Sequence, residues 1–310
     1  GEVGSGGYMM DAGPEKAILA KHGRSFYWAS FFLGEKLALS AAKLYQFCRF
    51  VDDLADGDKK EKARQLTIIR KTLEIGEKSG DLEVDKFIQL AKENNIPLVA
   101  ARELIDGMLA DQTPARFRNT TELLRYSHAV AGTVGLMMCR ILNCKHARAE
   151  SFAIDLGIAM QLTNIARDVL EDATMGRRYI PSEWTSLSET EVSPESLKDA
   201  SPEVKENIAM AVKKLFHLAE SYYDSAKLGI HLLPFKCRFA ILIALRIYRA
   251  IGHTLKWRNF AWWKGRVVVS KTHKLALSII SLRAFLPRKV PPHYTKLHAP
   301  LRGLAGVITD

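Results

Sequence analysis

The chain has 310 residues, of which 47% are hydrophobic and 25% charged, and this composition excludes an intrinsically disordered protein. The formal net charge is +11, but residues 231–310 hold fifteen Lys or Arg against one acid, which leaves a net charge of −3 on the rest. No run approaches the roughly 18–20 apolar residues of a membrane span, and the opening segment lacks the charge and apolar core of a signal peptide. The charge asymmetry indicates an anionic partner, whether a phosphate, a nucleic acid or a lipid headgroup.

Apolar residues recur at helical spacing through most of the chain and strand-like alternation is scarce, so the pattern predicts an all-α protein. Turn signals occur at 94–97, 111–120 and 286–292, and the polar, acidic stretch 182–203 is typical of a surface loop or a short helix. No linker or repeat divides the chain, which predicts one domain. The expected long helices span 36–55, 120–143, 146–172, 204–229 and 235–257.

Several residues within apolar segments have plain structural interpretations. His128 and His217 are predicted to be structural, and Gly132 and Gly135 most simply allow close helix packing. The cysteines show no zinc-ligand spacing and are expected to be reduced and buried, as in a cytosolic protein. They are Cys48, Cys139, Cys144 and Cys237.

The segment YQFCRFVDDLADG, residues 45–57, ends a predicted helix in acidic side chains. Asp52 and Asp56 are four positions apart and share a helix face, with Arg49 one turn earlier and Tyr45 one turn before that. Acidic residues at the end of an exposed helix are common and need no function. Here the preceding LYQFCRFV is apolar almost all round, as in a buried helix, so exposure is the less favoured interpretation.

A second set of oxygen-bearing side chains lies in QLTNIARDVLEDATMGRRYIP, residues 161–181. Asn164, Asp168 and Asp172 recur every four residues, with Gln161 three positions before them, so they stack about 6 Å apart on one helix face. Like charges at this spacing repel, and buried carboxylates are costly unless they are paired or bind metal. Magnesium would compensate, because it takes oxygen ligands and bridges carboxylates to phosphates. The two acidic faces are therefore predicted to hold a diphosphate through metal ions.

Five segments carry a resemblance to one enzyme family. YSHAVAGTVGLMMCRI (126–141) and LGIAMQLTNIARDVLEDATMGRRYIP (156–181) resemble its two signatures. HGRSFYWAS (22–30) resembles its N-terminal substrate-binding segment, ALRIYRAIG (244–252) its late tyrosine helix, and PPHYTKLHAPL (291–301) the endings of its bacterial members. By these residues the chain is similar to the squalene/phytoene synthase family, which joins two isoprenoid diphosphates head to head.

The resemblance covers residues 15–302 and implies a single-domain, all-α isoprenoid-synthase fold around a central apolar cavity. Residues 1–14 would then be a flexible N-terminus or a vector-derived remnant, and residues 303–310 a C-terminal tail. The loop at 185–200 lies outside the resemblance.

The same resemblance implies which residues bind metal. Asp52 and Asp56 would form the first metal site, and Asn164, Asp168 and Asp172 the second. About three Mg²⁺ ions would bridge them to diphosphate, with Mn²⁺ as the alternative cation.

Other residues are assigned to the substrate by the resemblance, and they fall into three sets. Those that line the substrate site near the first cluster are His22, Arg24, Ser25 and Phe26. Those that contact diphosphate or hold the acidic clusters, as the planar Arg fork does well, are Arg49, Gln161, Arg167 and Arg177. Those that stabilise positive charge in the cavity by ring faces or hydroxyls are Tyr45, Tyr126, Tyr179 and Tyr248.

These assignments have structural alternatives. On the residues alone, a tyrosine on an apolar helix is more often a core residue with its hydroxyl satisfied. Lys271 either reaches a phosphate or lies exposed in the basic tail.

The implied reaction begins with loss of diphosphate, which metal ions make a better leaving group. The allylic cation is attacked by a second substrate, and the resulting cyclopropyl diphosphate is ionised again and rearranged. Loss of a proton then gives phytoene, whereas reduction by NADPH gives squalene. The likeness to bacterial phytoene synthases favours a C20 prenyltransferase of carotenoid biosynthesis that uses geranylgeranyl diphosphate, and the missing dinucleotide fingerprint disfavours NADPH. The alternative is a C15-using squalene, dehydrosqualene or presqualene diphosphate synthase.

The basic C-terminal part raises the question of a macromolecular partner. A helical nucleic-acid-binding module is the non-enzymatic alternative, but the basic residues interleave with apolar runs and no nucleic-acid motif occurs, so no nucleic acid is expected. An anionic membrane surface fits better, and we expect a cytoplasmic enzyme attached peripherally to the inner face of the cytoplasmic membrane. The predicted interface residues are Trp257, Trp262 and Trp263, among Lys256, Arg258, Lys264 and Arg266.

Overall fold

The structure, a computed structural model, describes residues 28–55, 59–144, 146 and 148–309. Within these residues there are twelve complete α-helices and no β-strand beyond one isolated bridge, so the all-α prediction is confirmed. In chain order the helices are α1 (Glu35–Ala55), α2 (Lys59–Ile75), α3 (Leu82–Asn94), α4 (Leu98–Ala110), α5 (Thr120–Ser127), α6 (Thr133–Ile141), α7 (Ala149–Arg167), α8 (Val169–Thr174), α9 (Pro194–Lys198), α10 (Pro202–Gly229), α11 (Phe235–Trp257) and α12 (Lys271–Ile280).

Helices α1 and α11 begin and end within one residue of their predicted bounds. Helix α10 begins two residues earlier than predicted, because Ser201 caps it. The Ser201 hydroxyl accepts a hydrogen bond from the Val204 amide at 3.3 Å, and Pro202 occupies the first helical position, where its missing amide proton costs nothing.

The single helix predicted over 120–143 is divided. Helix α5 starts at an Asn119 cap, whose side chain accepts from the Glu122 amide, and is followed by a π-helical turn at His128–Gly132 before α6 begins. A π turn inserts one extra residue per turn and is frequent at functional sites. Here it lies where the chain packs against α7.

The single helix predicted over 146–172 is wrong in its last turns. Helix α7 ends at Arg167, Asp168 leaves helical geometry with φ −109° and ψ 20°, and α8 follows. The Asp168 amide still donates to Asn164 and the Asp172 amide to Asp168, so the three predicted ligands remain one turn apart. The break has an electrostatic reason. An acid is unfavourable at the C-terminus of a continuous helix, whereas Asp172 now lies in the first turn of a new one, where negative charge is favoured.

Two glycines let α7 approach the preceding segment backbone to backbone. A Cβ on Gly157 would lie 2.2 Å from the carbonyl oxygen of Ala131, and a Cβ on Gly135 would lie 2.2 Å from that of Ala153. No side chain fits at such distances. The packing role predicted for Gly135 is therefore confirmed, and Gly157 shares it.

The C-terminal residues are tied to α7 by a buried carboxylate. Asp155 is fully buried and accepts hydrogen bonds from Ser225 of α10 at 2.5 Å and from the ring nitrogens of His293 and His298, each at 2.6 Å. These lengths are those of hydrogen bonds to a charged acceptor. Further along, His128 Nε2 bonds the Ala305 carbonyl at 2.9 Å, in agreement with a structural role for His128.

The tryptophans predicted to face a membrane have different environments. Trp262 is buried, and its indole nitrogen donates to the Lys205 carbonyl at 3.0 Å, so its assignment to an exposed interface is wrong. Trp263 is half-buried beneath the Lys205 ammonium, and only Trp257 projects fully into solvent. The rings of Trp262 and Trp263 pack in or against the hydrophobic core, beside the first turn of α10.

No helix in the described part of the chain combines the length and apolarity needed to cross a bilayer. All four cysteines are free, as predicted; Cys139 and Cys237 are buried, whereas Cys48 and Cys144 are only half-buried.

Gly157→Ala is expected to destabilise the fold by about 2–3 kcal/mol, because the added methyl group overlaps a backbone atom that cannot rotate away. The measurement is urea unfolding of the purified variant. Gly265→Ala serves as the control, since a Cβ at Gly265 meets nothing within 4 Å and that change is expected to be neutral. Equal stability of the two variants would contradict the close approach of α7.

Candidate active site

The first acidic cluster lies in the last turn of α1. Arg49 Nη1 donates to Asp52 Oδ2 at 2.8 Å, and its Nη2 lies 3.3 Å from Asp53 Oδ1. The Asp52 side chain is 36% exposed and that of Asp53 62%. Ion pairs this exposed contribute little to stability. Arg49 can therefore release Asp52 to a metal ion, or itself turn to a phosphate, at little cost to the fold.

The second cluster lies at the junction of α7 and α8. Arg167 grips Asp168 bidentately, through Nε at 2.7 Å and Nη2 at 2.9 Å. Burial lowers the pKa of the Arg167 guanidinium, but the hydrogen bonds and charge of Asp168 outweigh that effect and raise it. Arg266 Nε lies 3.8 Å from Asp168 Oδ1. Arg266 was expected at a membrane surface, and nothing in its local sequence indicated this position beside the acidic cluster.

Asp172 and Asn164, the neighbours of Asp168 along the helix face, both have unmet electrostatic needs. Burial, and then the charge of Asp168, raise the pKa of Asp172 from 3.8 to about 8, while Arg177 opposes the shift. The amide oxygen of Asn164 is buried and accepts no hydrogen bond within the described residues. A divalent cation would meet both needs, because it stabilises the ionised carboxylate and takes a neutral oxygen ligand.

Tyr248 of α11 links the two clusters. Burial raises the pKa of Tyr45 on α1, Arg49 partly opposes the rise, and Tyr248 adds to it. Tyr248 also lies close enough to Arg167 to act on its charge. Tyr45 is one turn from Arg49, and Arg167 holds the second cluster, so both clusters border one region of the interior.

A further carboxylate outside the two clusters, Asp111, was missed by sequence reasoning, which treated it only as part of a turn. It ends α4 and accepts hydrogen bonds from Tyr126 at 2.7 Å and from Tyr179 at 3.1 Å. The two rings are stacked at 5.0 Å, and Phe117 packs edge-on against both. Burial and then Asp111 raise the pKa of each tyrosine hydroxyl, which keeps both neutral. Asp111 also adds to the raised pKa of Asp172, so this tyrosine pair adjoins the second cluster.

The remaining predicted residues have less defined positions. Gln161 is half-buried, and its Oε1 lies 3.4 Å from Asn164 Nδ2. Lys271 is exposed at the first residue of α12, which agrees with the solvent-exposed alternative. The other predicted residues lie outside the described residues: His22, Arg24, Ser25, Phe26 and Asp56.

A cleft of about 470 Å³ between α1 and α2 lies elsewhere. It is lined by Phe50 and Leu54 of α1 and by Ile68 and Ile69 of α2. Phe50 and Leu54 are each two residues from Asp52, which places them about 200° around the helix from it. The cleft therefore opens on the face of α1 opposite the acidic cluster and is separate from the candidate site.

The chain is similar to known proteins in sequence and in fold. A family model described as squalene/phytoene synthase matches residues 19–273. A phytoene synthase of Pseudescherichia vulneris is 34% identical over 272 residues, which cover 84% of this chain and 87% of that protein. A 15-cis-phytoene synthase of Paracoccus sp. is 32% identical, with coverages of 82% and 85%. The crystal structure of a dehydrosqualene synthase in complex with a ligand matches with a TM-score of 0.76 at 28% identity, over 89% of this chain and 96% of that one.

Asp172→Asn is expected to stabilise the metal-free protein at pH 8 and to leave it unchanged near pH 4. The folded pKa of about 8 exceeds the ordinary 3.8, so the folded state binds more protons between these values, and stability falls as pH rises from about 4 to about 8. Asparagine removes that loss. Thermal unfolding in EDTA should show a midpoint at least about 2 °C above the parent at pH 8.

Glu171→Gln is the control for that experiment, because Glu171 is the exposed acidic neighbour in the same short helix. A gain of equal size in both variants would mean that general charge reduction, and not the burial of Asp172, causes the effect.

Proposed function

Because the chain belongs to the squalene/phytoene synthase family, we propose that it is a phytoene synthase. Such a prenyltransferase condenses two geranylgeranyl diphosphates head to head, through cyclopropyl (prephytoene) diphosphate, to 15-cis-phytoene and releases diphosphate. The observation that carries the proposal is the family match combined with two arginine-held acidic clusters that border one region of the interior.

We propose Mg²⁺ as the metal. The residues present fit it, since Asn164 offers an unpaired buried oxygen and Asp172 a carboxyl that ionises poorly without a cation. The ligands would be Asp52, Asp168 and Asp172 together with Asn164, and Asp56 by the family pattern. When bound, Mg²⁺ neutralises diphosphate and makes it a better leaving group.

The arginines have a second role in this proposal. Arg49 and Arg167 each bind a carboxylate of their own cluster. Guanidinium stays charged under all working conditions and binds phosphate oxygens bidentately. If those carboxylates were bound to metal, Arg49, Arg167 and Arg266 would be available to bind the diphosphate.

The tyrosine pair suits a reaction that passes through carbocations. Tyr126 and Tyr179 both donate to Asp111 and their rings stack on each other, so the oxygen lone pairs and the ring faces outside the stack are what they would offer to positive charge. The neutral hydroxyls do not add a nucleophilic phenolate that would trap a cation, and the apolar surroundings exclude water.

We also propose a cytoplasmic location with peripheral attachment to the cytoplasmic membrane. Two facts support it: residues 231–309 contain no acid, and a C40 hydrocarbon product must enter lipid. No NADPH is expected, since the proposed product forms by loss of a proton rather than by reduction.

A C15-using dehydrosqualene synthase is the second candidate. It is supported by the likeness to the solved dehydrosqualene synthase at 28% identity. The reaction centre would be the same, and the two activities differ in the length of chain that the interior accepts.

Purified protein incubated with geranylgeranyl diphosphate and Mg²⁺, without NADPH, is expected to give a C40 hydrocarbon on mass analysis of the organic extract. Farnesyl diphosphate is incubated in parallel. A C30 hydrocarbon or C30 diphosphate from farnesyl diphosphate, with nothing from the C20 substrate, would instead assign the protein to the C15 branch.

Asp52→Asn is expected to lower turnover about a hundredfold or more, because one charged metal ligand is lost. Its neighbour provides a matched control: Asp53→Asn removes a carboxylate that also pairs with Arg49 but is mostly exposed, and it should retain activity within about twofold. The stabilisation of each variant by Mg²⁺ and inorganic diphosphate is measured by thermal shift. Equal losses in both variants would show that Arg49 pairing, and not metal binding, is what Asp52 provides.

A further inference from the structure

Helix α12 and the 3₁₀ turn that follows it, Ser281–Phe285, are inverted relative to an ordinary surface helix. The buried positions are Ser278, Ser281 and Ala284. Most of the large aliphatic side chains face outward, whereas Leu277 is half-buried against the core. A helix in contact with water places its apolar side chains against the protein and its polar ones outside. The exposed side chains are Leu275 at 54%, Ile279 at 60%, Ile280 at 43%, Leu282 at 53% and Leu286 at 62%.

The buried serines of this face are satisfied by hydrogen bonds. Ser278 donates to the Lys274 carbonyl at 2.8 Å and Ser281 to the Leu277 carbonyl at 2.7 Å. Ser278 also accepts from the Trp28 indole nitrogen at 2.8 Å. The serine hydroxyls are therefore satisfied in the interior. The bonds to Lys274 and Leu277 lie within the helical segment and move with it, so the bond from Trp28 is the one that holds this face against the protein.

Aromatic rings extend the apolar surface beyond α12. Phe285 packs against Phe235 at 4.8 Å and Phe239 at 5.5 Å, and Phe239 contacts Phe32 at 5.0 Å. Phe235 is 58% exposed and Phe31 57%. A contiguous apolar surface of this extent is unusual on a protein that meets only water, and it marks a contact with another apolar phase.

The residues around the edge of this apolar surface, here called its rim, are basic. Arg238 lies over the Phe235 ring at 5.5 Å, and the other rim residues are exposed. Residues 231–309 contain no Asp or Glu to neutralise them. The rim consists of Lys236, Arg238, Arg283, Arg288 and Lys289.

We propose that the aliphatic face of α12 and its 3₁₀ turn inserts into the headgroup region of an anionic membrane, with this basic rim on the lipid phosphates. Apolar residues on one face, flanked by Lys and Arg, are what an interfacial helix uses. The inference deepens the membrane attachment proposed above and rests on it, but it does not depend on which product the enzyme makes.

Two other partners that could cover this apolar face complement the charge of its basic rim less well. Residues 1–27 precede Trp28 and carry three acids and three bases, so they offer the basic rim no complementary charge. A second copy related by two-fold symmetry would bring two basic rims together. An anionic lipid surface supplies both the apolar phase and the opposite charge.

This proposed membrane contact differs from the contact predicted from sequence, which lay at the tryptophans that follow α11 or end it. Helix α11 has 23 residues and is therefore about 35 Å long, with Phe235 at one end and the exposed Trp257 at the other. The two surfaces are thus far enough apart to be tested separately.

The test is flotation of the full chain with vesicles of phosphatidylcholine alone and of equal parts phosphatidylcholine and phosphatidylglycerol, at low and physiological salt. The parent is expected to bind the anionic vesicles. The double variant Ile279→Glu, Leu282→Glu should bind them at least about tenfold more weakly, because two buried aliphatic contacts are replaced by charges that repel the lipid.

Matched controls make the result specific to this face. Ile68→Glu, Met210→Glu changes two apolar residues of similar exposure elsewhere and should leave binding unchanged. Arg283→Glu, Lys289→Glu should weaken binding most at low salt, whereas Lys60→Glu, Lys213→Glu, on exposed lysines outside the rim, should have a smaller effect.

Several outcomes would overturn the proposal. Loss of binding in Trp257→Ala, with normal binding of the α12 variant, would place the contact at the tryptophan end of α11. Binding gained only on deletion of residues 1–14 would show that the N-terminal segment covers the face. Lipid-free self-association abolished by the α12 substitutions would assign the face to a second copy.

Turnover of detergent-dispersed substrate separates this inference from the proposed function. The α12 variants are expected to retain it, together with the parent's thermal midpoint. Vesicle binding without turnover in the parent would reject the enzymatic proposal alone, and turnover without vesicle binding would reject the membrane proposal alone.

Discussion

The carboxylates at the end of α7 impose the constraint on which the rest of the structure depends. Nearly the whole of α7 is buried, yet it must end in acidic side chains that cannot be neutralised by one another. Two arginines from different parts of the chain, Arg167 and Arg266, lie beside Asp168. In addition, the helix breaks at Asp168, and a new helix starts before Asp172. Both devices lower the cost of burying negative charge. The pKa of Asp172 is still raised, first by burial and then by the charge of Asp168, and a cation would lower it.

Keeping that helix in place requires unusually close packing along its length. Gly157 and Gly135 bring α7 into backbone contact with the segment around the π turn, so neither helix can slide without a clash. From its other side, Asp155 binds Ser225 of α10 and two histidines of the C-terminal segment. Asp155 and Asp168 are thirteen residues apart, or about 20 Å along the axis. Residues near position 300 thus help to fix the direction in which the acidic cluster points.

The parts of this arrangement that could be predicted are those that depend on the spacing and size of residues close together in the sequence. The ends of α11, the four-residue repeat of Asn164, Asp168 and Asp172, and the packing glycine Gly135 follow from helical periodicity and residue size. Contacts between distant segments could not be predicted, because one sequence does not show which loop meets which helix. Asp111 and Arg266 were missed for that reason. Trp262 was misassigned, since an indole among basic residues looks the same in sequence whether it closes a core or faces lipid.

The position of α12 shows how the basic C-terminal part of the chain is placed relative to the acidic cluster. Arg266 contacts Asp168, and α12 begins only five residues later, which limits its start to about 18 Å from Arg266. Val267 and Val269, buried between them, hold this connection against the core. In the proposed function, the basic C-terminal part would bind phosphate at one end and present its apolar face to a low-dielectric phase at the other. Since a prenyl diphosphate is itself anionic at one end and hydrocarbon at the other, a surface with the same polarity beside the site shortens the path between lipid and the acidic clusters.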